Sequence, residues 1–296
     1  MFKIVKKETL TEGTTLFEVE APEIAKRAQA GQFIILRLHE YGERIPLSLA
    51  DFDPEKGTLT LVVMALGKTT HEFSAYETGD TILDVVGPLG HATPIEKVGH
   101  VIVVGGGFGA APLFPVAKAY KKAGNKITAI LGARNKDLLI FEDRLASVCD
   151  EVLVSTDDGS KGHKGLVTEV LHKEIERNKV DLVMAVGPAI MMKFVSLTTK
   201  PFGIKTLVSL NPIIIDGTGM CGGCRVTVGG ETKFACVEGP DFDGHQVDWD
   251  LLMGRQGLYQ AEEKHAFERY QCRLVEQGEK LRETVGRSQG GGKNQD

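Results

Sequence analysis

Three of the five cysteines, Cys221, Cys224 and Cys236, fall within one short carboxy-terminal segment. Asp216 stands ahead of them, so the donors read D-x4-C-x2-C-x11-C. This is the plant-type [2Fe-2S] spacing with a carboxylate in the slot of the first thiolate. A diiron cluster needs ligands on both irons. A loop can wrap its sulfides only where the backbone comes close, which Gly217, Gly219, Gly222 and Gly223 permit. The last ligand, Cys236, is expected on a returning strand over 232–236. Two other readings use the same residues: a zinc knuckle completed by His245, and a loop in which Asp216 is only a turn residue. The x4 gap and the glycines favour the cluster, in which Asp216, a harder donor than thiolate, alters the electronics. Cys149 and Cys272 are isolated and read as ordinary thiols.

A second chemical feature follows Val101-Ile-Val-Val104. Gly105-Gly-Gly107-Phe-Gly109-Ala110 matches G-x-G-x-x-A between a buried strand and a helix. Small residues there let a pyrophosphate approach the free N–H groups of the helix terminus, and Pro112 suits the first helical turn. No acidic residue ends the second strand, where Gly132-Ala-Arg134-Asn-Lys136 stands instead. The ribose must be held another way, and Asp157 and Asp158 after the next strand are the alternative to a surface turn. Arg134 and Lys136 could favour a 2′-phosphate, so these residues leave NAD against NADP open.

Two further stretches combine charge, rigidity and hydroxyls. Arg44-Ile-Pro46-Leu47-Ser48 reads as part of a strand, and Gly67-Lys68-Thr69-Thr70 could set amides, hydroxyls and an ammonium around a diphosphate. Each has a plainer reading, an edge strand with a surface Arg and a hairpin end.

The elements that must position these residues change character along the chain. Residues 1–97 show short alternating strands broken by turn residues, the pattern of an antiparallel barrel. Residues 98–208 alternate apolar runs with helical segments at Pro112–Ala123, Asp137–Cys149 and Gly165–Arg177, which predicts a doubly wound α/β unit. Residues 209–250 are Gly- and Cys-rich and too short to fold on their own hydrophobic core without a metal. Residues 251–296 read as a charged helical tail with a disordered end, and Ala261, Phe267, Tyr270 and Leu274 recur there at helical spacing, as a docking face would. The fold class is thus multidomain: antiparallel β-barrel, α/β doubly wound nucleotide-binding domain and small [2Fe-2S] domain. A net charge of −5 gives no nucleic-acid surface, and no apolar run reaches a membrane span. Residues 1–19 lack the apolar core of a secretory signal, so a cytoplasmic protein is expected.

The order of these parts resembles the ferredoxin-NADP reductase superfamily and, within it, the electron-transfer subunits of class B dihydroorotate dehydrogenase, over about residues 1–250. The resemblance implies an FAD contacted by Arg44, Pro46, Leu47 and Ser48, with Ser48 near the ring and Arg44 near the diphosphate. Gly67, Lys68, Thr69 and Thr70 would complete that site. Gly105, Gly107, Gly109, Gly187 and Pro188 would contact the nicotinamide nucleotide. Two features depart from the pattern: Asp216, and roughly 45 residues beyond Trp249. Both are similar to the small subunits of electron-bifurcating flavoenzymes, whose larger subunit carries a second FAD and further clusters. That likeness implies the NAD(H) end of a heterodimer, with ferredoxin and NADP(H) reached through the partner. The implied chemistry is hydride exchange between nicotinamide and flavin followed by one-electron steps to a [2Fe-2S] cluster, with no acid or base catalyst. The alternatives are an electron-transfer subunit of dihydroorotate dehydrogenase B or of sulfide dehydrogenase and, from another class, a zinc-stabilised nucleotide-binding regulator.

Overall fold

A computed structural model describes residues 1–272 of the 296. The chain opens with β1 (Phe2–Thr11), β2 (Thr14–Glu20), α1 (Pro22–Ala25), β3 (Phe33–Arg37), β4 (Arg44–Asp53), β5 (Thr58–Met64), α2 (Lys68–Ser74), β6 (Thr81–Ile82) and β7 (Asp84–Leu89). The strands pair antiparallel in the order β6-β1-β2-β5-β4-β3-β7. The two edge strands are neighbours in sequence, so the sheet curls into a nearly closed barrel. Phe17, Val19, Leu59, Leu61 and Val63 alternate into its interior with Ile34 and Leu36. Leu16, Ala50 and Val62 point the other way and are buried too, because they pack against the next unit. β4 lies inside the sheet, between β5 and β3, so Arg44–Ser48 is not the edge strand of the plainer reading. Gly67 to Thr70 start a helix and do not end a hairpin.

The second unit contains β8 (His100–Gly106), α3 (Ala110–Lys122), β9 (Lys126–Ala133), α4 (Glu142–Ala146), β10 (Glu151–Thr156), β11 (His163–Lys164), α5 (Val167–Arg177), β12 (Leu182–Val186), α6 (Ala189–Thr199) and β13 (Lys205–Ser209). These strands are parallel in the order β11-β10-β9-β8-β12-β13. The β8 and β9 runs are apolar on both faces: Val101, Val103 and Ile127 pack toward α3, and Ile102, Val104 and Ile130 toward α5 and α6. The helix expected over Asp137–Cys149 breaks into a 3-10 turn at Lys136–Leu138 and the short α4. Between them Phe141 adopts φ 62°, a conformation costly for a side chain with a Cβ. Burial of its ring edge-on against Phe114 at 6.0 Å, with the Arg144 guanidinium 4.9 Å over it, offsets that cost.

The cysteine segment holds β14 (Arg225–Val228), β15 (Glu231–Phe234), α7 (Ala235–Glu238) and β16 (Asp241–Asp243), and α8 (Trp249–Gln256) follows. It packs directly on the α/β unit. β16 adds antiparallel to β13, and Cys224, Val226, Ala235, Cys236, Val247 and Trp249 share one core with Phe33, Ile35 and the α6 face. Its missing hydrophobic core is supplied by its neighbours. Cys236 sits in α7, just past the returning strand expected to carry it.

Beyond α8, residues 260–272 are helical. Phe267 packs on His71 of α2, with ring centroids 4.5 Å apart and planes tilted by 39°, and stacks on Tyr270 at 6.5 Å. The aromatic stripe expected to dock a partner therefore packs on its own barrel, while Ala261 is exposed. Leu274 lies outside the described residues.

Candidate functional site

The parallel sheet reverses its winding between β8 and β12, from which β9 and β10 extend one way and β13 the other. Ligands of such sheets bind outside the carboxyl ends of the strands at this point. The glycine loop after β8 and Gly187-Pro188 after β12 meet there. A Cβ on Gly109 would stand 2.2 Å from the Val186 carbonyl oxygen, and one on Gly106 would stand 2.4 Å from Met191 Sδ. The two turns approach so closely that only glycine fits, which leaves the backbone of the loop bare toward the cleft. Gly105 is the inner member of this set, since a Cβ there would lie 3.0 Å from Ala110 Cα.

A cleft of about 810 Å³ opens at this junction. Gly107, Gly109, Gly187 and Pro188 line it, together with Arg134 and Asp157 of the nucleotide unit and Pro46, Leu47 and Ser48 of β4. Asp158 stands outside it: its Oδ1 accepts from Ser160 N at 2.9 Å, and the Ser160 side chain and amide hold its carboxyl below the usual range. Of the expected acidic pair, Asp157 faces the cleft and Asp158 forms the turn.

Arg44, Pro46 and Ser48 alternate along β4, with Arg44 and Ser48 exposed. Gly67, Lys68, Thr69 and Thr70 open α2, away from the cleft lining. Thr70 Oγ1 accepts from the amides of Leu66 at 2.9 Å and Gly67 at 3.1 Å. Glu43, which sequence reading passed over, ties the two groups together. It accepts from Thr69 Oγ1 at 2.9 Å and pairs with Lys68 Nζ at 3.6 Å, immediately before Arg44. A broad cleft walled by apolar side chains, with exposed Arg44 and Ser48 on one strand, fits an amphipathic ring with a charged tail.

In the cysteine loop, Cys224 and Cys236 are buried with their sulfurs 3.1 Å apart. Burial, and then the bond from Cys224, pushes the Cys236 thiol up to about 12. Two adjacent buried sulfurs are the donor pair one iron needs, and a cation beside them reverses that shift. Cys221 lies exposed at the outer edge, its Sγ accepting from Gly223 N at 3.4 Å. Asp216 accepts from Thr218 N at 3.0 Å through Oδ1 and from Cys221 N at 2.7 Å through Oδ2. Those amides lower its pKa, and each oxygen keeps a second lone pair. Gly217 and Gly219, at φ 73° and 82°, could not carry a Cβ without meeting Ile35 and Val237. These glycines bring the backbone close, as a loop around a cluster requires. Among the described residues no three of His, Cys, Asp and Glu converge as a single-ion site demands. His245 is held by Thr199, with its Nε2 2.9 Å from Oγ1, and is not aimed at the thiols as the zinc reading needed.

Residues 103–197 match the oxidoreductase NAD-binding domain, and residues 211–248 match the iron-sulfur cluster binding domain of dihydroorotate dehydrogenase B. The chain is 54% identical over 268 residues to a Thermotoga maritima protein described as a dihydroorotate dehydrogenase B (NAD+) electron transfer subunit homolog, covering 90% of this chain and 95% of that one. The chain belongs to the dihydroorotate dehydrogenase B electron-transfer-subunit family. Within this family's range of solved relatives, a chain of the NADH-dependent reduced ferredoxin-NADP oxidoreductase structure is 53% identical, with a TM-score of 0.87 over 91% of this chain and 98% of that one. At 18% identity and a TM-score of 0.57, phthalate dioxygenase reductase shares the fold over 77% of this chain and 85% of its own. A family member of this build is an oxidoreductase subunit carrying an NAD-binding unit and an iron-sulfur binding unit.

Proposed function

We propose that this chain is the NAD(H)-side subunit of an electron-bifurcating NADH-dependent reduced ferredoxin:NADP+ oxidoreductase, holding FAD and a [2Fe-2S] cluster and working in the cytoplasm. One observation carries the reading: a single cleft is walled by Ser48 of the barrel, the glycine loop of the nucleotide unit, and Ser209 to Pro212 leading into the cysteine loop. The 53% identity to a chain of that oxidoreductase structure supports it over the other members of the family.

When bound, the flavin supplies the change from two-electron hydride exchange to one-electron transfer. The protein's own residues bind, orient and exclude water. The bare amides of Gly107 and Gly109 take the dinucleotide pyrophosphate, and Gly187 and Pro188 bound the nicotinamide end. Asp157 holds the ribose and opposes a 2′-phosphate. Arg44 and the Gly67–Thr70 turn hold the flavin diphosphate, with the Ser48 hydroxyl at the ring. Cys221, Cys224, Cys236 and Asp216 hold the cluster. The partner is a larger flavin and iron-sulfur subunit, through which ferredoxin and NADP(H) exchange electrons. Among the described residues no helix is long and apolar enough to cross a membrane.

Purification of the native complex tests this directly. The expected result is about one FAD and two irons with two acid-labile sulfides per chain, a larger iron-sulfur flavoprotein in the same fraction, and flavin bleaching by NADH. Stoichiometric zinc without flavin would refute it. Co-purification with a dihydroorotate-oxidising subunit would instead assign the chain to the pyrimidine enzyme.

A further inference from the structure

Asp241 opens β16 and pairs in register with Ser209 at the end of β13. Its Oδ2 accepts from Thr93 Oγ1 at 2.5 Å, and Thr93 lies on the stretch leaving the barrel, where its amide donates to Ala30. Asp241 Oδ1 is shielded from solvent and has no hydrogen-bond partner. An orphaned buried oxygen costs about 1–3 kcal/mol, so it calls for a reason. Desolvation lifts this carboxyl to about 6, with Thr93 and Ser209 holding it from rising further. Ser209 and Pro240 line the cleft. Asp241 and Ser209 therefore share one rung of the strand pair that backs the cleft wall.

The proton balance of the proposed reaction gives such a group a task, and the inference rests on that flavin and cluster reading. Oxidation of NADH to NAD+ releases two electrons and one proton. The hydride enters the cleft as a unit, but the electrons leave singly to an iron-sulfur acceptor, and the proton stays behind. We propose that Asp241, acting through the Ser209 hydroxyl, takes up the proton left in the cleft when electrons depart and returns one when they flow the other way. In the forward direction Ser209 would accept the proton that a reduced flavin N–H gives up. The former Ser209 proton then forms an O–H bond on Asp241, and it returns through Ser209 to solvent in the cleft when the nucleotide leaves, so the carboxyl is ionised again before the next turnover. The relay itself oxidises and reduces nothing. Asp241 touches no reacting atom and positions the proton only.

The groups facing Asp241 are uncharged: Thr93 on the linker, Ser209 on β13, and Tyr120 on α3. Burial and then Asp241 raise the Tyr120 phenol, with a smaller push from Glu96, and its hydroxyl donates to Pro94 at 2.8 Å. At neutral pH the carboxyl is ionised and ready to accept. As pH falls through about 6 it fills, and proton departure slows.

The test uses the full chain with its cofactors, as Asp241→Asn, Ser209→Ala and Thr93→Val, with NADH as reductant and ferricyanide as one-electron acceptor. Infrared difference spectra between acid and neutral pH should show a protonated carboxyl band with a midpoint near 6, absent from Asp241→Asn and kept by Ser209→Ala. Flavin bleaching by NADH should stay within about twofold in Asp241→Asn and Thr93→Val, while reoxidation slows at least about tenfold in Asp241→Asn and Ser209→Ala and loses its acid inflection. Thr93→Val, which removes the bond that lowers the carboxyl, should move the inflection upward. A wild-type pH profile in Ser209→Ala overturns the inference even if Asp241→Asn fails to fold. So does a carboxyl midpoint at the ordinary aspartate value. Failure of NADH to bleach any flavin in the wild type would strike at the underlying functional reading instead.

Discussion

A Cβ on Gly109 meets the Val186 carbonyl at 2.2 Å, its carbon at 2.6 Å and Gly187 Cα at 2.9 Å, all of them backbone. Nothing flexible can yield, so Gly109→Ala must drive the two turns apart. It should cost about 1–3 kcal/mol and weaken NADH binding, read from thermal melting and flavin-quench titration. Gly67 is the contrast, since nothing lies within 4 Å of its added Cβ and its φ is −118°. Gly67→Ala should leave stability within about 0.5 kcal/mol of wild type. Asp216 poses a sharper question, because its oxygens already hold the amides of Thr218 and Cys221. If it is also an iron ligand, Asp216→Cys keeps both irons and shifts the visible and EPR spectra, while Asp216→Ala makes the cluster labile. If it only shapes the turn, neither substitution changes the spectra of the assembled cluster. Within the cleft, Asp157→Ala should narrow the preference for NADH over NADPH in stopped-flow flavin reduction, and an unchanged ratio removes Asp157 from ribose selection.

At the scale of elements, α2 has two duties. Its first residues carry Gly67 to Thr70, and its His71 donates to Gly67 O at 2.9 Å while its ring packs tilted against Phe267 of the 260–272 helix. Phe267→Ala should therefore cost about 1 kcal/mol and speed FAD loss, measured by fluorescence after dilution, without changing iron content. Unaltered flavin retention would return the helix to the docking role read from its sequence. This pairing was invisible in the sequence because nothing local joins residues 71 and 267. The glycine loop was legible because strand, turn and helix signals lie side by side, and the strands were legible because a parallel sheet imposes apolar runs on both faces. The helix read over Asp137–Cys149 failed where Phe141 turns left-handed, a bend held by Phe114 from another element. Nothing local in the sequence marks Asp241. Only the pairing of β16 with β13 buries its carboxyl.

At the scale of the whole molecule, shared cores couple the three units. Phe33 and Ile35 of the barrel pack in one cluster with Trp249 and both buried cysteines, and Leu16, Ala50 and Val62 pack with α3. Unfolding should be a single transition in which the fluorescence of the chain's only tryptophan, Trp249, coincides with circular dichroism. Asp241 then makes a pH-dependent contribution to that one free energy. Its folded pKa, about 6, lies above the ordinary 3.8, so the folded state binds its proton more tightly than the unfolded state does. The penalty for keeping it ionised is fully present above about 6, shrinks as pH falls toward 3.8, and vanishes below that. A rise of about two units corresponds to about 3 kcal/mol at most. Carboxylates whose pKa is lowered, such as Asp150 and Asp181, act in the opposite sense and lose their stabilisation in more acid solution. The comparison must therefore be between wild type and Asp241→Asn at each pH, so that those shared contributions cancel. Urea denaturation across that range should find the variant gaining on wild type as pH rises from about 4 to about 6, with the difference level on either side. A difference that stays constant across the window would mean that Asp241 titrates as an ordinary exposed aspartate. It would then remove both the stability argument and the carboxyl on which the proton relay depends.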